Sequence, residues 1–499
     1  MREKMRSISK KLNINIPSLI FLYLLLPFLL FLAGWCRWYI ALPGIALLLF
    51  AFVRMCREQA KWELWQPEWN RENLKKIAII TAIIICWVYL SGIGTLVYQN
   101  SDHDCRNAIF ELLVEKNWPV KGNVSIDGIT STRGLIYYIA FWLPAAFVGK
   151  HTSLEFGYFF QILWAVLGIL GFYYLFCAVR KKISIWPLLA FIGFSGLDIV
   201  GYYLHGIKLS DVSLTSHLEW WSTFQFSSFT TQLFWVFNQS IPIWLILLLM
   251  YHQKKNRYIV LLLALAMLYG TLPFIGLIPF AIYFMLCREY GDQPRFSKAW
   301  WKSWCQDTFS LENLLAGGMT GIVSFIYLSG NTSAQLFTPG TSGVDLRGFW
   351  FMYLMTALVE FVPYFILIYR YQKKKPVFYI ALFSLLLCPL FRVGSAQDFC
   401  MRASIPALVS LFFLVLDTFE TTLKEKNHKI LIPLCVIYLI GSITVEHELL
   451  RTISQTMIRY KSDEQIYETS VDGSYILGGD NFSGDVDSSF FYQYMASPK

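Results

Sequence analysis

Twenty consecutive positions, Ile16 to Trp35, read IPSLIFLYLLLPFLLFLAGW and carry no charge. As an α-helix such a run is ~30 Å long, the thickness of a bilayer's hydrocarbon core. Comparable runs recur to the end of the chain. A chain that repeats them cannot gather around one aqueous core, so it reads as a polytopic all-α integral membrane protein. The charged fraction agrees, at 15% against about 25% in soluble domains. The net charge of +9 falls in short inter-helix loops. It therefore reads as an orientation signal, with no nucleic-acid partner implied. Many of the 18 Trp and 28 Tyr stand near span ends, as expected of aromatic belts facing the lipid bilayer.

Loop charge then sets a topology. Arg2, Lys4, Arg6, Lys10 and Lys11 put the N-terminus in the cytoplasm, as an uncleaved signal anchor. Spans are expected at Ile16–Trp35, Trp38–Val53 and Ile77–Val97. The intervening basic loop Arg54–Lys76 belongs inside, with KWELWQPEWN along the interface. Gly134–Gly149 is only ~24 Å long as a helix and contains Pro144, so it is expected to be an outer re-entrant helix that does not cross. Phe156–Val179 returns to the basic Arg180-Lys181-Lys182, and Ile185–Leu204 goes out. His205–Ser228 is an outer loop with Asp211, His217 and Glu219, and Phe229–Tyr251 comes back. Tyr258–Leu286 is too long for one straight span and is followed by basic residues, so it is expected to be a hairpin of two half-spans bent at Gly270 and Pro273. Leu311–Leu328, Phe349–Tyr369, Val377–Phe391, Ser404–Leu416 and Ile430–Val445 then alternate.

The expectation is about eleven full crossings, one half-span hairpin and one re-entrant helix. Residues 1–76 form a cytoplasmic start, a helical hairpin and an interfacial loop. Residues 77–447 form the membrane core, and 448–499 a short extracytoplasmic tail. No inverted internal repeat of the kind common in transporters is visible. The ten cysteines show no CxxC or metal spacing. Cys105 and Cys400 fall on the same side, so a disulfide is conceivable, with two free thiols the simpler expectation.

Three polar clusters converge on the outer face. The first is Asp102-His103-Asp104 with Arg106. The second carries His217, Glu219, Asn238 and Gln239. The third is RVGSAQDFCMR, with Arg392, Asp398 and Arg402. Ionisable groups at span ends or at membrane depth are costly and are usually paired or functional. Carboxylates there suit a general base or a metal ligand, and arginines suit bidentate phosphate binding. Plainer roles stay open at each place. Asp102 and Asp104 can cap a helix beginning at Arg106. Arg402 can be a snorkelling anchor with Asp398 as its ion partner. His217 and Glu219 can be loop polarity, and Asn238 and Gln239 can join helices.

With an acidic Asp-x-Asp directly after a span, followed by CRNAIFELLVEKNW and GLIYYIAFWLPAAFVGK, the chain resembles the GT-C superfamily of polytopic glycosyltransferases. In that superfamily an acidic motif opens the first outer loop of the core, which continues through juxtamembrane helices. The resemblance covers the chain from about Lys76 onward and assigns no branch. It implies a sugar transferase acting on the outer face of a membrane, expected to be a bacterial plasma membrane, from a polyprenyl-phosphate-linked donor to a glycan, lipid or protein acceptor. Asp104 or Asp102 would act as base, with a divalent cation (Mg or Mn) conceivable between them. Arg402, Arg392 and Asp398 would hold the donor phosphate, and His103, His217, Glu219, Asn238 and Gln239 would line the substrate site. No nucleotide cofactor is expected, because no Gly-rich phosphate loop follows a strand. The competing readings are a transporter or flippase of lipid-linked or polar solutes, and a polysaccharide polymerase or ligase.

Overall fold

A computed structural model describes residues 15–59, 65–126, 129–206, 212–332, 338–341, 345–393 and 398–498. Asp211 and the basic N-terminal residues lie outside these. The chain begins with α1 (Ile16–Trp35) and α2 (Trp38–Gln59), joined by a tight turn. Next comes α3 (Arg71–Leu90). It starts and stops about a turn or two before the expected span, for local reasons. Asn70 Oδ1 caps it by accepting from Asn73 N at 2.8 Å, and Gly92 beyond its end has φ +83°, which glycine adopts without strain.

The polar segment after it is α4 (Asp102–Glu115), then a hairpin of β1 (Lys121–Ile126) and β2 (Ile129–Leu135). α5 (Leu143–His151) has nine residues, ~14 Å, and does not cross. α6 (Leu154–Arg180) is a full span. Ile185–Leu204, expected to be one span, instead forms α7 (Trp186–Ile192) and α8 (Asp198–Leu204) around a non-helical break.

α9 (Phe229–His252) is the central helix: every residue of its spanning stretch is buried, the polar Gln232, Asn238 and Gln239 included. α10 (Ile259–Tyr269) and α11 (Thr271–Leu286) part at Gly270, as the sequence suggested. α12 (Lys298–Thr308) meets a π-helical turn and α13 (Gly318–Ser329) at 51°. A two-residue strand β3 (Thr338–Pro339) follows. α14 (Leu346–Glu360) and α15 (Val362–Gln372) meet at 54°, with Pro363 in the first turn of the second. α16 (Pro376–Leu387), β4 (Phe391–Arg392), α17 (Asp398–Ala403), α18 (Ile405–Lys424), α19 (His428–Lys461), α20 (Gly473–Gly478) and β5 (Ser483–Asp485) complete the order.

Among the described residues, seven helices are long and apolar enough to cross a membrane, or nine if each bent pair counts once. The eleven expected crossings are not met as continuous helices. Apolar content marks what lipid tolerates, but glycines, prolines and buried acids decide where a helix breaks. The tail carries structure of its own. β5 pairs antiparallel with β2, giving a sheet in the order β1-β2-β5. Ser497 N donates to Trp35 O at 2.7 Å, so the tail closes over the α1–α2 turn. Cys105 and Cys400 are unbonded.

Loops sort to two ends. At one, Arg37 Nε reaches Ala496 O at 3.0 Å and Asn331 Nδ2 reaches Ile136 O at 2.7 Å. At the other lie the basic loops, joined by Arg54–Glu312 at 3.0 Å, Lys255–Glu58 at 3.2 Å and Lys375–Asp417 at 2.8 Å. With the basic end inside, a cysteine placed at exposed Lys181 should react with a permeant maleimide and not with an impermeant one added outside. A cysteine at exposed Asp480 should react with both. Labelling at position 181 by the impermeant reagent alone would reverse the orientation.

Candidate functional site

α4 positions the first cluster. Asn100 Oδ1 accepts from Asp102 N at 3.1 Å, so the helix begins at Asp102 and both aspartates lie in its first turn, where helix N–H groups favour acids. They are not caps of a helix beginning at Arg106. Residues two apart on a helix do not face each other, and their partners differ. Asp102 Oδ2 takes Arg106 Nη2 at 2.8 Å. Asp104 Oδ1 accepts from the Cys105 backbone N–H, and its carbonyl accepts from Val471 N at 3.4 Å. The two carboxylates therefore point to different neighbours, Asp102 to Arg106 and Asp104 to its own helix. Among the described residues no group of three or more His, Cys, Asp or Glu is placed to hold one.

The late arginine arrives from the far end of the sequence. α17 packs on α11 at Gly276, where a Cβ would meet the Ala403 carbonyl oxygen at 2.1 Å. That close approach seats Arg402, whose Nη1 lies 3.3 Å from Asp398 Oδ2. Desolvation raises the Asp102 carboxyl, but the guanidiniums of Arg106 and Arg402 outweigh it and hold it below the ordinary carboxylate value. The same charges face Tyr137, whose hydroxyl is raised chiefly by burial. Arg106 Nη1 and Arg402 Nε are buried without a partner. Buried N–H groups left unbonded cost about 1–3 kcal/mol each, and these two belong to guanidiniums that both act on Asp102, Arg106 by direct contact and Arg402 from beyond ion-pair distance. Arg392 sits in β4, paired with Thr338 on the strand leading toward α17.

His103 is structural. Its Nε2 donates to Phe234 O at 3.1 Å, and its Nδ1 accepts from Gln99 Nε2 at 3.0 Å. Burial, then Arg106, lower it to about 3, so it stays neutral. Asn100 Nδ2 also donates to Phe234 O at 2.8 Å. With that carbonyl taken from outside, α9 kinks at Val236 (φ −139°, ψ 36°). Asn238 and Gln239 follow the kink, fully buried. Both amide atoms of Asn238 and Gln239 Oε1 lack partners, and a Cβ at Gly270 would lie 3.0 Å from Gln239 Oε1.

His217 and Glu219 do not join the arginines. They belong to a second buried network on the other side of α9, with two residues the sequence reading did not single out, Glu448 and Arg451. His217 Nδ1 lies 2.6 Å from Glu448 Oε1, and His217 Nε2 lies 3.7 Å from Glu219 Oε2. Arg451 Nη2 lies 2.7 Å from Glu448 Oε2 and covers the Trp235 ring. Gln225 Nε2 and Ser228 N donate to Glu219 at 2.8 and 2.9 Å. Burial opposes the charge on His217, yet its two carboxylates raise it to about 9. Burial likewise raises Glu219, but hydrogen bonding and attraction to His217 prevail and lower it to about 2. Two acids and two cations balance. A Glu-x-x-Arg pair just past a span end was the missed signal, because α19 runs far beyond the expected boundary at Val445.

The sign of the pH response follows from these shifts. The His217 contribution is full below about 6.5 and is lost as pH rises through about 9. The Glu219 contribution is full above 4.5 and is lost as pH falls through about 2. Thermal denaturation in detergent should show the alkaline decline. His217→Gln should flatten it and cost about 3–5 kcal/mol at neutral pH, as breaking a buried pair does.

Beside α4 runs a groove of about 310 Å³, lined by Leu96, Glu111, Leu154, Tyr158, Phe159 and Ile162 among others, with Phe159 and Leu96 exposed at its lip. It is not lined by Asp102 or Arg402. No family model matches the chain, and no curated protein or solved structure matches it.

Proposed function

We propose that the protein is a GT-C-type glycosyltransferase of a bacterial plasma membrane, transferring a sugar from a polyprenyl-phosphate donor to an acceptor on the extracytoplasmic face. The observation that carries this reading is that Arg106, bonded to Asp102, and Arg402, whose charge also acts on Asp102, come from opposite halves of the chain and each keep an unbonded buried N–H. A phosphate has the charge and the acceptor oxygens to take both. The lipid would lie along the groove at Glu111, ~14 Å down α4 from Asp102.

In this reading the acceptor hydroxyl attacks the anomeric carbon, and its proton passes to the Asp102 carboxylate. The bond from sugar to phosphate oxygen breaks, and Arg106 and Arg402 stabilise the charge left on the phosphate. A carboxylate bonded to one guanidinium and under the charge of a second is a weak base. Phosphate binding competes for those guanidiniums and strengthens it, so donor arrival prepares the base. No step is routed through a metal, since Asp102 and Asp104 diverge.

The experiment uses the reconstituted protein with a panel of polyprenyl-phosphate-linked hexoses and pentoses and reads sugar leaving the lipid. Consumption of at least one donor, blocked by unglycosylated polyprenyl phosphate, is expected. No consumption of any donor and no thermal stabilisation by polyprenyl phosphate would overturn the proposal. A transporter is favoured by one observation, the burial of two acids, Asp198 and Glu360, at the break between α7 and α8. It predicts passage of the intact lipid-linked sugar across a liposome bilayer with no cleavage.

A further inference from the structure

Gly193–Leu197 interrupts the segment that was expected to cross as one helix, and two acids lie at the break. Asp198, the first residue of α8, is 1% exposed, and Glu360, the last of α14, is 4% exposed. Leu197 N donates to Val359 O at 3.4 Å, which sets the two acids side by side. The same short break touches both carboxyl groups, Ser195 on Asp198 and Gly196 on Glu360, so the two acids are neighbours. Asp198 Oδ2 accepts from Ser195 Oγ at 3.1 Å and Thr444 Oγ1 at 2.9 Å. Glu360 Oε1 accepts from Trp221 Nε1 at 2.9 Å. Glu360 Oε2 has no donor at all and packs on Gly196, where a Cβ would come within 1.7 Å of it.

The place is inside the bilayer. Thr444 stands ~24 Å along α19 from its basic-end start at His428, short of the ~30 Å core, whereas Glu448 stands at its far boundary. Among the described residues neither acid forms an ion pair. The cations of the neighbouring network, His217 and Arg451, are held by Glu219 and Glu448. The titratable groups facing the pair are Glu219 from the turn Leu218–Trp221, Tyr202 from α8, Tyr364 from α15 and Cys400 from α17. None of these supplies a positive charge.

We propose that Asp198 and Glu360 together hold one proton, the unpartnered Glu360 Oε2 sharing it with the Asp198 carboxylate, and so form a proton-binding site inside the membrane at the break between α7 and α8. Two carboxylates in contact at low dielectric cannot both ionise. Without a proton two neighbouring buried carboxylates repel, and a shared proton removes that repulsion. The proton is drawn from and returned to bulk water, and no other bond changes. Its loss leaves two like charges that only parting of α8 from α14, or entry of water, can relieve. The site is therefore coupled to the opening of the broken span. It does not rest on the transferase reading.

Infrared difference spectroscopy of the full chain in lipid nanodiscs tests this, read at the carbonyl stretch of protonated carboxyl groups. Wild-type protein should show one such band that shifts on deuterium exchange and is lost in a single one-proton step as pH rises. Glu360→Gln and Asp198→Asn should each remove that same band. Glutamine keeps an acceptor for Trp221, and asparagine keeps one for Thr444. Should either variant fold poorly, the wild-type titration still decides. Absence of the band from acid to alkaline pH, its survival in a folded single variant, or its loss on adding sodium at constant pH would overturn the proposal. The last outcome would assign the pair to a metal cation.

Discussion

Replacing Arg402 with lysine is expected to lower kcat/KM for the lipid-phosphate donor by roughly 10²-fold, the cost of removing one preorganised donor at developing charge. Protein level and membrane insertion should stay normal. Arg402 Nη1 is committed to Asp398 at 3.3 Å, while Nε is buried and unbonded, so the guanidinium has one edge held and one edge to offer. An ammonium has no second edge. A bare lipid anchor tolerates lysine because both side chains snorkel. Asp398→Asn should loosen the arginine and give a smaller loss in the same direction. Gly276→Ala should act through the backbone, because its Cβ collides with the Ala403 carbonyl at 2.1 Å and must push α17 away. The measurement is donor-dependence of transfer at matched expression. A lysine variant that saturates at the wild-type donor concentration and rate makes Arg402 an anchor and removes the phosphate site.

Asp102→Asn is expected to cut transfer by about 10²–10⁴-fold, the usual contribution of a general base, while Asp104→Asn leaves it near wild type. This ordering comes from tertiary contacts: Asp102 faces Arg106 and Arg402, and Asp104 is bonded to its own helix and to the tail. A pair acting through one divalent cation would instead show equal losses, partly rescued by excess metal. Asp102→Asn also leaves Arg106 without its carboxylate, so the informative readout is the pH profile. In wild type the acid limb of kcat/KM should follow protonation of Asp102. Asp102→Glu should retain that limb, shifted, and Asp102→Asn should lose it. Unchanged activity in Asp102→Asn would return the aspartate to a charge partner of Arg106.

Much of the architecture is legible in the sequence because lipid imposes a one-dimensional rule. A run of twenty apolar residues must become a helix, and a cluster of lysines and arginines must stay on one side. Ile16–Trp35, Leu154–Arg180 and the break at Gly270 follow from composition and residue type alone. So does the gathering of Asp102, Arg402, His217 and the tail at the end opposite the basic loops. That rule is silent about which polar groups touch. Asp198 and Glu360 each sit in apolar surroundings of the sequence, 162 positions apart. Only their meeting across α8 and α14 shows that they share a burial cost. Likewise Asp-x-Asp reads as a pair on paper, yet a helix sends its first and third residues to different sides. Arg106 and Arg402 read as unrelated, yet Gly276 lets α17 approach until the charges of both act on Asp102. The sequence by itself determined the membrane class, the basic and polar ends and most long helices, since these depend on local hydrophobicity and loop charge. The tertiary structure alone decided where spans break and which charges pair, since those depend on contacts between segments that no local pattern encodes.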